Sequence, residues 1–284
     1  MKLYDLHTHS NISDGTLSPA ELVQKAHSEG LTAIALTDHD AAIGYTEAAA
    51  KGEYLGIHVI SGVEISAAEY NELHILGLGI DINSSGLKAE IDKCAESRRS
   101  HIYTICNSLK EKGVVLDADA IIASAEYSVG KPHVANAMIQ KGYVQTKQEA
   151  FDKYFETPEM KKLKKYKIGY KKAAELIHEA GGLVILAHPH KIELTDMTLE
   201  EFVSGFTELD GIEAFYSEHS PQQTEYILEL AQKYDLLISC GSDFHGANKP
   251  NIELGTGISG SLVKLRDQFN VDEKRLVINA LNKR

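Results

Sequence analysis

Gly181-Gly182-Leu183-Val184-Ile185-Leu186-Ala187-His188-Pro189-His190 holds the pattern on which the fold reading turns. The two glycines stop an amphipathic helix that reaches Ile177–Ala180, since glycine takes the left-handed conformation of a helix end with least strain. A short apolar run follows, as expected of a strand covered on both faces of a parallel sheet. A histidine then closes the strand. Working outward, strand-like runs stand at Lys2–His7, Ala33–Thr37, Val59–Glu64, His74–Gly79, Leu183–His188, Gly211–Tyr216 and Leu236–Ser242. Between the first two, Ser18-Pro19-Ala20-Glu21 supplies an N-cap, a proline at N1 and a glutamate at N3, opening a helix that ends near Gly30. Helix Pro221–Tyr234 follows the sixth run. Short apolar runs alternating with amphipathic helices predict an α/β fold, its seven strands forming a closed or nearly closed barrel.

One stretch breaks the alternation. From about Asp92 to Tyr166 the pattern is helical, with segments at Ser97–Lys112, Asp117–Ser124, Pro132–Lys141 and Lys147–Tyr154. The expected organisation is a barrel from 1–91 plus 167–284, with 92–166 a helical insertion acting as a lid or substrate subdomain. A chain of 284 residues, 43% hydrophobic, is ample for such a core. No run of about 18 uncharged apolar residues exists, so no membrane span is expected. The first residues enter a strand directly, without the apolar stretch of a signal peptide. Cys94, Cys106 and Cys240 form no C-x-x-C pair, which predicts no disulfide framework and a reducing, cytoplasmic setting. The net charge of −12 argues against capture of long duplex nucleic acid. Bound cations would reverse that sign locally, leaving room for a small polyanionic substrate.

The placement of the histidines carries the chemistry. His7 and His9 follow the first strand, His39 the second, and Glu64 ends the third. His74 begins the fourth, His188 ends the fifth, and Asp243 and His245 follow the seventh. In parallel α/β folds such strand ends gather at one face, where active sites sit. His-x-His on an extended segment sends both imidazoles to one side, because strand periodicity is two. Together these residues predict a site for divalent cations. The mixed nitrogen and oxygen donors suit Mn, Fe or Zn better than Ca or Mg, and the lack of thiolates argues against a structural zinc.

The blocks Y-D-L-H-T-H-S-x-x-S-D-G (from Tyr4), A-L-T-D-H-D (from Ala35), I-S-G-V-E-I-S (from Ile60), H-I-L-G (from His74), L-A-H-P (from Leu186) and C-G-S-D-F-H-G (from Cys240) resemble the PHP (polymerase and histidinol phosphatase) superfamily. The resemblance runs from Lys2 to about Gly255. It implies a distorted (β/α)7 TIM-like barrel with two or three divalent metal ions, Mn first among them. Carried over by residue, His7, His9, Glu64 and Asp243 would hold the first metal, and Asp14, His39 and His245 the second. Glu64 would bridge to a third held with His74 and His188. Asp38 and Asp40 flank His39 and are expected to orient ligand imidazoles. Histidinol phosphatases usually carry a histidine where this chain has Asp14, so the resemblance is nearer to the nucleotide-directed branch. That branch removes the 3′-phosphate of nucleoside 3′,5′-bisphosphates, and some members trim short 5′-phosphorylated RNA. The implied mechanism is in-line attack on phosphorus by a metal-bound hydroxide.

A second phosphate needs cationic or N–H partners away from the metals. Lys131 and His133 open a predicted helix whose N-terminus favours an anion, and Arg98 and Arg99 begin the insertion. His219, after the sixth strand, is placed for substrate contact or proton delivery. His190 reads first as a loop histidine and otherwise as a further substrate contact. His27, His58, His101 and His178 read as ordinary structural residues, and Cys240 as a small buried hydrophobe. The lysine run Lys161–Lys172 reads as a solvated face, with a cationic rim for phosphates as the sharper alternative. Against the leading expectation stand a phosphatase for a small metabolite such as histidinol phosphate, and a non-catalytic metal- or nucleotide-binding module. A polymerase proofreading subdomain fails for want of an accompanying polymerase module.

Overall fold

The computed structural model describes residues 3–255 and 273–281. Lys2 of the first expected strand, and residues 256–272 and 282–284 of the expected barrel segment, lie outside these. Seven strands pair in chain order: β1 (Leu3–Thr8), β2 (Leu31–Leu36), β3 (His58–Ser66), β4 (His74–Leu78), β5 (Leu183–Leu186), β6 (Gly211–Tyr216) and β7 (Leu237–Gly241). The last strand meets the first just past their ends. Thr8 bridges Phe244, and Asp243 N donates to His7 O and His9 N to Phe244 O, both at 2.9 Å. The barrel is thus stitched closed at the place where the histidines lie.

Helices α1 (Pro19–Ser28) and α2 (Tyr45–Leu55) follow β1 and β2. The first carries the capping box expected of Ser18 and Glu21. Between β4 and β5 stand α3 (Ser85–Glu111), α4 (Ala118–Ala123), α5 (Lys131–Gln140), α6 (Lys147–Ala150), α7 (Pro158–Lys161) and α8 (Tyr170–Glu179). Then come α9 (Leu199–Gly205), α10 (Pro221–Lys233) and α11 (Val277–Leu281). Leu6, Val63, Leu76, Ile185 and Ile212 are fully buried in the barrel core. Each such side chain contributes roughly 1.5–3 kcal/mol by burial, which holds the strand ends in fixed positions.

The expectation of a parallel sheet is corrected at one strand. β4 pairs antiparallel with both β3 and β5, while the other pairs are parallel. Residues 67–73 are too few for a parallel crossover, which needs about a dozen or more, so the chain turns back as a hairpin. The reversal explains why His74 starts its strand where the other candidate ligands end theirs. It pairs with Ser66, at the carboxyl end of β3.

The helical insertion packs a core of its own around Leu109, Val134, Met138, Phe155 and Met160. Its expected start at Asp92 falls inside α3, whose 27 residues span about 40 Å. Leu87 and Ile91 of that helix join the barrel core, and Ile102, Ile105 and Leu109 the second core. One continuous helix therefore belongs to both. Residues Lys164–Lys167 fold back along it, with Tyr166 N donating to Ser97 Oγ at 2.7 Å.

Candidate metal centre

Glu64 is fully buried at the hub of the imidazoles. Its Oε1 lies 2.8 Å from His74 Nδ1, 3.0 Å from His188 Nε2 and 3.4 Å from His7 Nε2. Its Oε2 lies 2.9 Å from His39 Nδ1 and 3.2 Å from His9 Nε2. Asp243 Oδ1 stands 3.3 Å from both His9 Nε2 and His245 Nδ1, and Asp14 Oδ1 stands 3.1 Å from His245 Nε2. All nine expected ligand residues meet. Their donor atoms fall into groups of His9, Asp14, His39 and His245; His7, His9 and Asp243; His7, Glu64 and His188; and His39, Glu64 and His74, each within 4.8 Å. The implied threefold partition is recognisable, although His9 also reaches the second group and His39 also joins Glu64 and His74.

The donors fit cations. His7 Nε2, both nitrogens of His9, His39 Nδ1 and Glu64 Oε2 are buried without a hydrogen-bond partner among the described residues. Buried polar atoms are seldom left so, and a cation would satisfy them together. Burial alone would push Glu64 upward, but His39, His74 and His7 hold it well below the usual carboxylate range. Asp243 and Asp14 are held well below that range too, against burial, by Lys249 and His245 and by His245 and His39 respectively. Burial pushes His39 down to about 4, the neutral state a ligand needs. His9 moves the other way, to about 9: burial lowers it, but the nearby carboxylates of Asp243 and Glu64, at 3.3 and 3.2 Å, prevail.

The residues that hold the ligands differ from those expected. Asp38 and Asp40 make no hydrogen bond to an imidazole among the described residues, because each is taken up by other partners. Asp38 instead accepts from Ser10 N at 2.8 Å, Ser10 Oγ at 2.7 Å and Ser13 Oγ at 2.6 Å, fixing the loop that carries Asp14. Asp40 accepts from Ser66 N at 3.1 Å and from Arg98 Nε at 2.8 Å. The imidazole partner is Glu213, with His7 Nδ1 at 3.1 Å, and it also accepts from His188 N at 2.7 Å. A glutamate inside a fully buried strand was a legible signal. Lys249, paired with Asp243, carried none. Asp40, His188 and Asp243 have φ of 46°, 26° and 57°, backbone strain gathered at one site.

A cavity of about 430 Å³ opens beside Asp14, His39 and His74, between the barrel and the insertion. Arg98, His101, Lys131, Lys164, Lys165 and Lys167 line it. His101, inside α3 as expected, also faces the cavity, and the lysine run is divided rather than simply solvated. Burial next to Arg98 pushes Lys165 down to about 7. Arg99 does not reach this cavity: one step along α3 turns it about 100° away, where it pairs with Glu96 at 3.4 Å. His133 Nδ1 accepts from Gly130 N at 3.2 Å, so one nitrogen of its ring caps α5. His219 Nδ1 donates to Ala214 O at 3.0 Å, and its ring packs on His190 at 4.6 Å. Neither of these two joins the donor groups or lines the cavity. His178 pairs with Asp210 at 2.8 Å, His27 and His58 are exposed, and Cys240 is buried in the barrel, all as expected.

A buried hub of glutamate and imidazoles at one barrel end, beside a cavity lined by an arginine and several lysines, defines a metal-dependent phosphoric ester hydrolase. The PHP domain model matches residues 5–202, and the chain belongs to that family. A 5′-3′ exoribonuclease of Haemophilus influenzae is 34% identical over 247 residues, 86% of this chain and 90% of the relative. A phosphoribosyl 1,2-cyclic phosphate 1,2-diphosphodiesterase of Eggerthella lenta is 29% identical over 85% of this chain and 94% of its own. A 3′,5′-nucleoside bisphosphate phosphatase of Chromobacterium violaceum is 29% identical over 88% and 90%. The solved structure of an amidohydrolase from Chromobacterium violaceum with bound sulfate superposes with a TM-score of 0.84 at 27% identity, covering 99% of this chain and 96% of that one.

Proposed function

We propose that this chain removes the 3′-phosphate of nucleoside 3′,5′-bisphosphates and trims short 5′-phosphorylated RNA in the cytoplasm, using two or three divalent cations, Mn²⁺ foremost. The observation that carries the reading is a cavity lined both by the candidate ligands Asp14, His39 and His74 and by Arg98, Lys131, Lys164, Lys165 and Lys167, with Glu72, Glu156 and Glu193 also in its wall. A second phosphate on the substrate would meet these cationic groups. Bound cations supply Lewis acidity and an activated water. The nine candidate ligands, His7, His9, Asp14, His39, Glu64, His74, His188, Asp243 and His245, would hold them. Asp40 and Ser66 hold the Arg98 guanidinium at the cavity wall, so it meets a phosphate already oriented. Lys131 adds charge at the first turn of α5, where the helix end also favours an anion. The insertion serves as a lid whose cationic edge grips the phosphate that is not cleaved. No helix among the described residues is long and apolar enough to cross a membrane.

Histidinol phosphate fits less well, because its ammonium group would face the lysines. The test is kcat/KM across adenosine 3′,5′-bisphosphate, AMP, histidinol phosphate, a ribosyl 1,2-cyclic phosphate and a 5′-phosphorylated trinucleotide. The bisphosphate should exceed AMP at least tenfold. A tenfold preference for histidinol phosphate or for the cyclic ester would overturn the substrate assignment.

A further inference from the structure

Tyr216 ends β6 and is fully buried, yet its hydroxyl is surrounded by charge. The phenol oxygen lies 2.8 Å from Asp243 Oδ2, 2.9 Å from Glu218 Oε2 and 2.6 Å from Lys191 Nζ. Its ring packs edge-on against that of His188, with centroids 5.6 Å apart. A tyrosine has one O–H, so only one of the two carboxylates can receive it. Exposure and Lys191 together settle which. The Lys191 ammonium pairs with Glu218 and donates to the phenol oxygen, and the Glu218 side chain, 41% exposed, is also open to solvent, whereas Asp243 is 6% exposed and must be satisfied from within, so the hydroxyl hydrogen goes to Asp243.

The consequence lies at Asp243. Lys249 pairs with the same Oδ2 that Tyr216 reaches. Oδ1 alone is left beside His7, His9 and His245, at 3.7, 3.3 and 3.3 Å. The backbone of Asp243 is itself held in the left-handed region, at φ 57°, a strain of the kind found at functional sites. We propose that Tyr216, itself set by Lys191, is a positioning residue that fixes Asp243 as a one-oxygen donor to the cation shared with His7 and His9. The inference rests on the proposed function only in taking this cluster to bind divalent cations.

The experiment is Mn²⁺ titration of chelator-stripped protein, read by calorimetry and by the electron paramagnetic resonance of free Mn²⁺, with phosphatase activity measured in parallel. Tyr216→Phe removes the hydroxyl and little else. It should weaken one class of Mn²⁺ site by roughly 10- to 100-fold, the usual effect of losing a partner behind a ligand. Excess Mn²⁺ should return most of the lost activity, which it would not do for a variant merely misfolded. Lys191→Met frees the hydroxyl to turn to Glu218 and should weaken the same site by about threefold to tenfold. Adding Glu218→Gln to that variant should reverse most of the loss, because a neutral amide competes less for the proton. Unchanged Mn²⁺ affinity and stoichiometry in Tyr216→Phe would overturn the assignment. If the unmutated protein bound no Mn²⁺ at all, the functional reading would fail first, and the two failures are thereby told apart.

Discussion

The floor of the cavity and its rim are built on opposite plans. The floor takes most of its groups from the ends of strands, buries six of its nine candidate ligands, and draws their donor atoms into overlapping groups within 4.8 Å. The rim takes its groups from α3, α5 and a returning loop of the insertion, and its lysines are exposed or half-buried. Floor interactions are short-ranged and intolerant of displacement, whereas rim interactions are screened and can replace one another. The proposed function, placed on this difference, expects the floor to set rate and the rim to set affinity.

The strongest way to break this division is Glu64→Gln. It should lower kcat by roughly a thousandfold, about 4 kcal/mol, with KM changed less than threefold. An equal share of the loss in KM would merge the two regions. Prolonged chelation should abolish turnover and added Mn²⁺ should restore it, with the product read by phosphate release. Next in size is Arg98→Met, which should raise KM for the bisphosphate by roughly 30-fold, the effect of a charge-assisted bond. The same variant should leave hydrolysis of a minimal monoester such as p-nitrophenyl phosphate within about twofold. Asp40→Asn should follow in the same direction, more weakly.

Smaller still is Lys164→Met with Lys165→Met, about fivefold in KM at low salt and little at ~0.5 M salt, where screening is strong. Lys172, which pairs with Glu175 on the outer face, should give no change when altered to Met. The smallest effect is in pH. Lys165 is charged below about 7 and loses its charge as pH rises through that value. Its help to an anionic substrate is therefore present at pH 6 and largely gone at pH 8. The ratio of KM between Lys165→Met and the unmutated protein should fall toward one across that range; a constant ratio would deny Lys165 a part in binding.

The floor was more legible than the rim for the same physical reason. A ligand placed after a strand carries its position in its spacing, because strand ends converge in a barrel and alternation fixes the face. His7, His9, His39, Glu64, His188 and Asp243 could be read that way. Arg98 and Arg99 could not be told apart, since helical rotation decides which faces inward and the chain alone does not show what the helix packs against. The lysine run was ambiguous because a loop has no period to count.

What the chain alone determined is the alternation of apolar runs with capped helices and the histidines and acids at their ends. Those are local patterns, set by neighbours a few residues apart. Only the folded molecule decided that β4 runs backward, that Glu213 holds His7, and that Asp40 serves Arg98. Each of these pairs residues remote in the chain, and a partner chosen by tertiary packing leaves no mark on the local pattern of either residue.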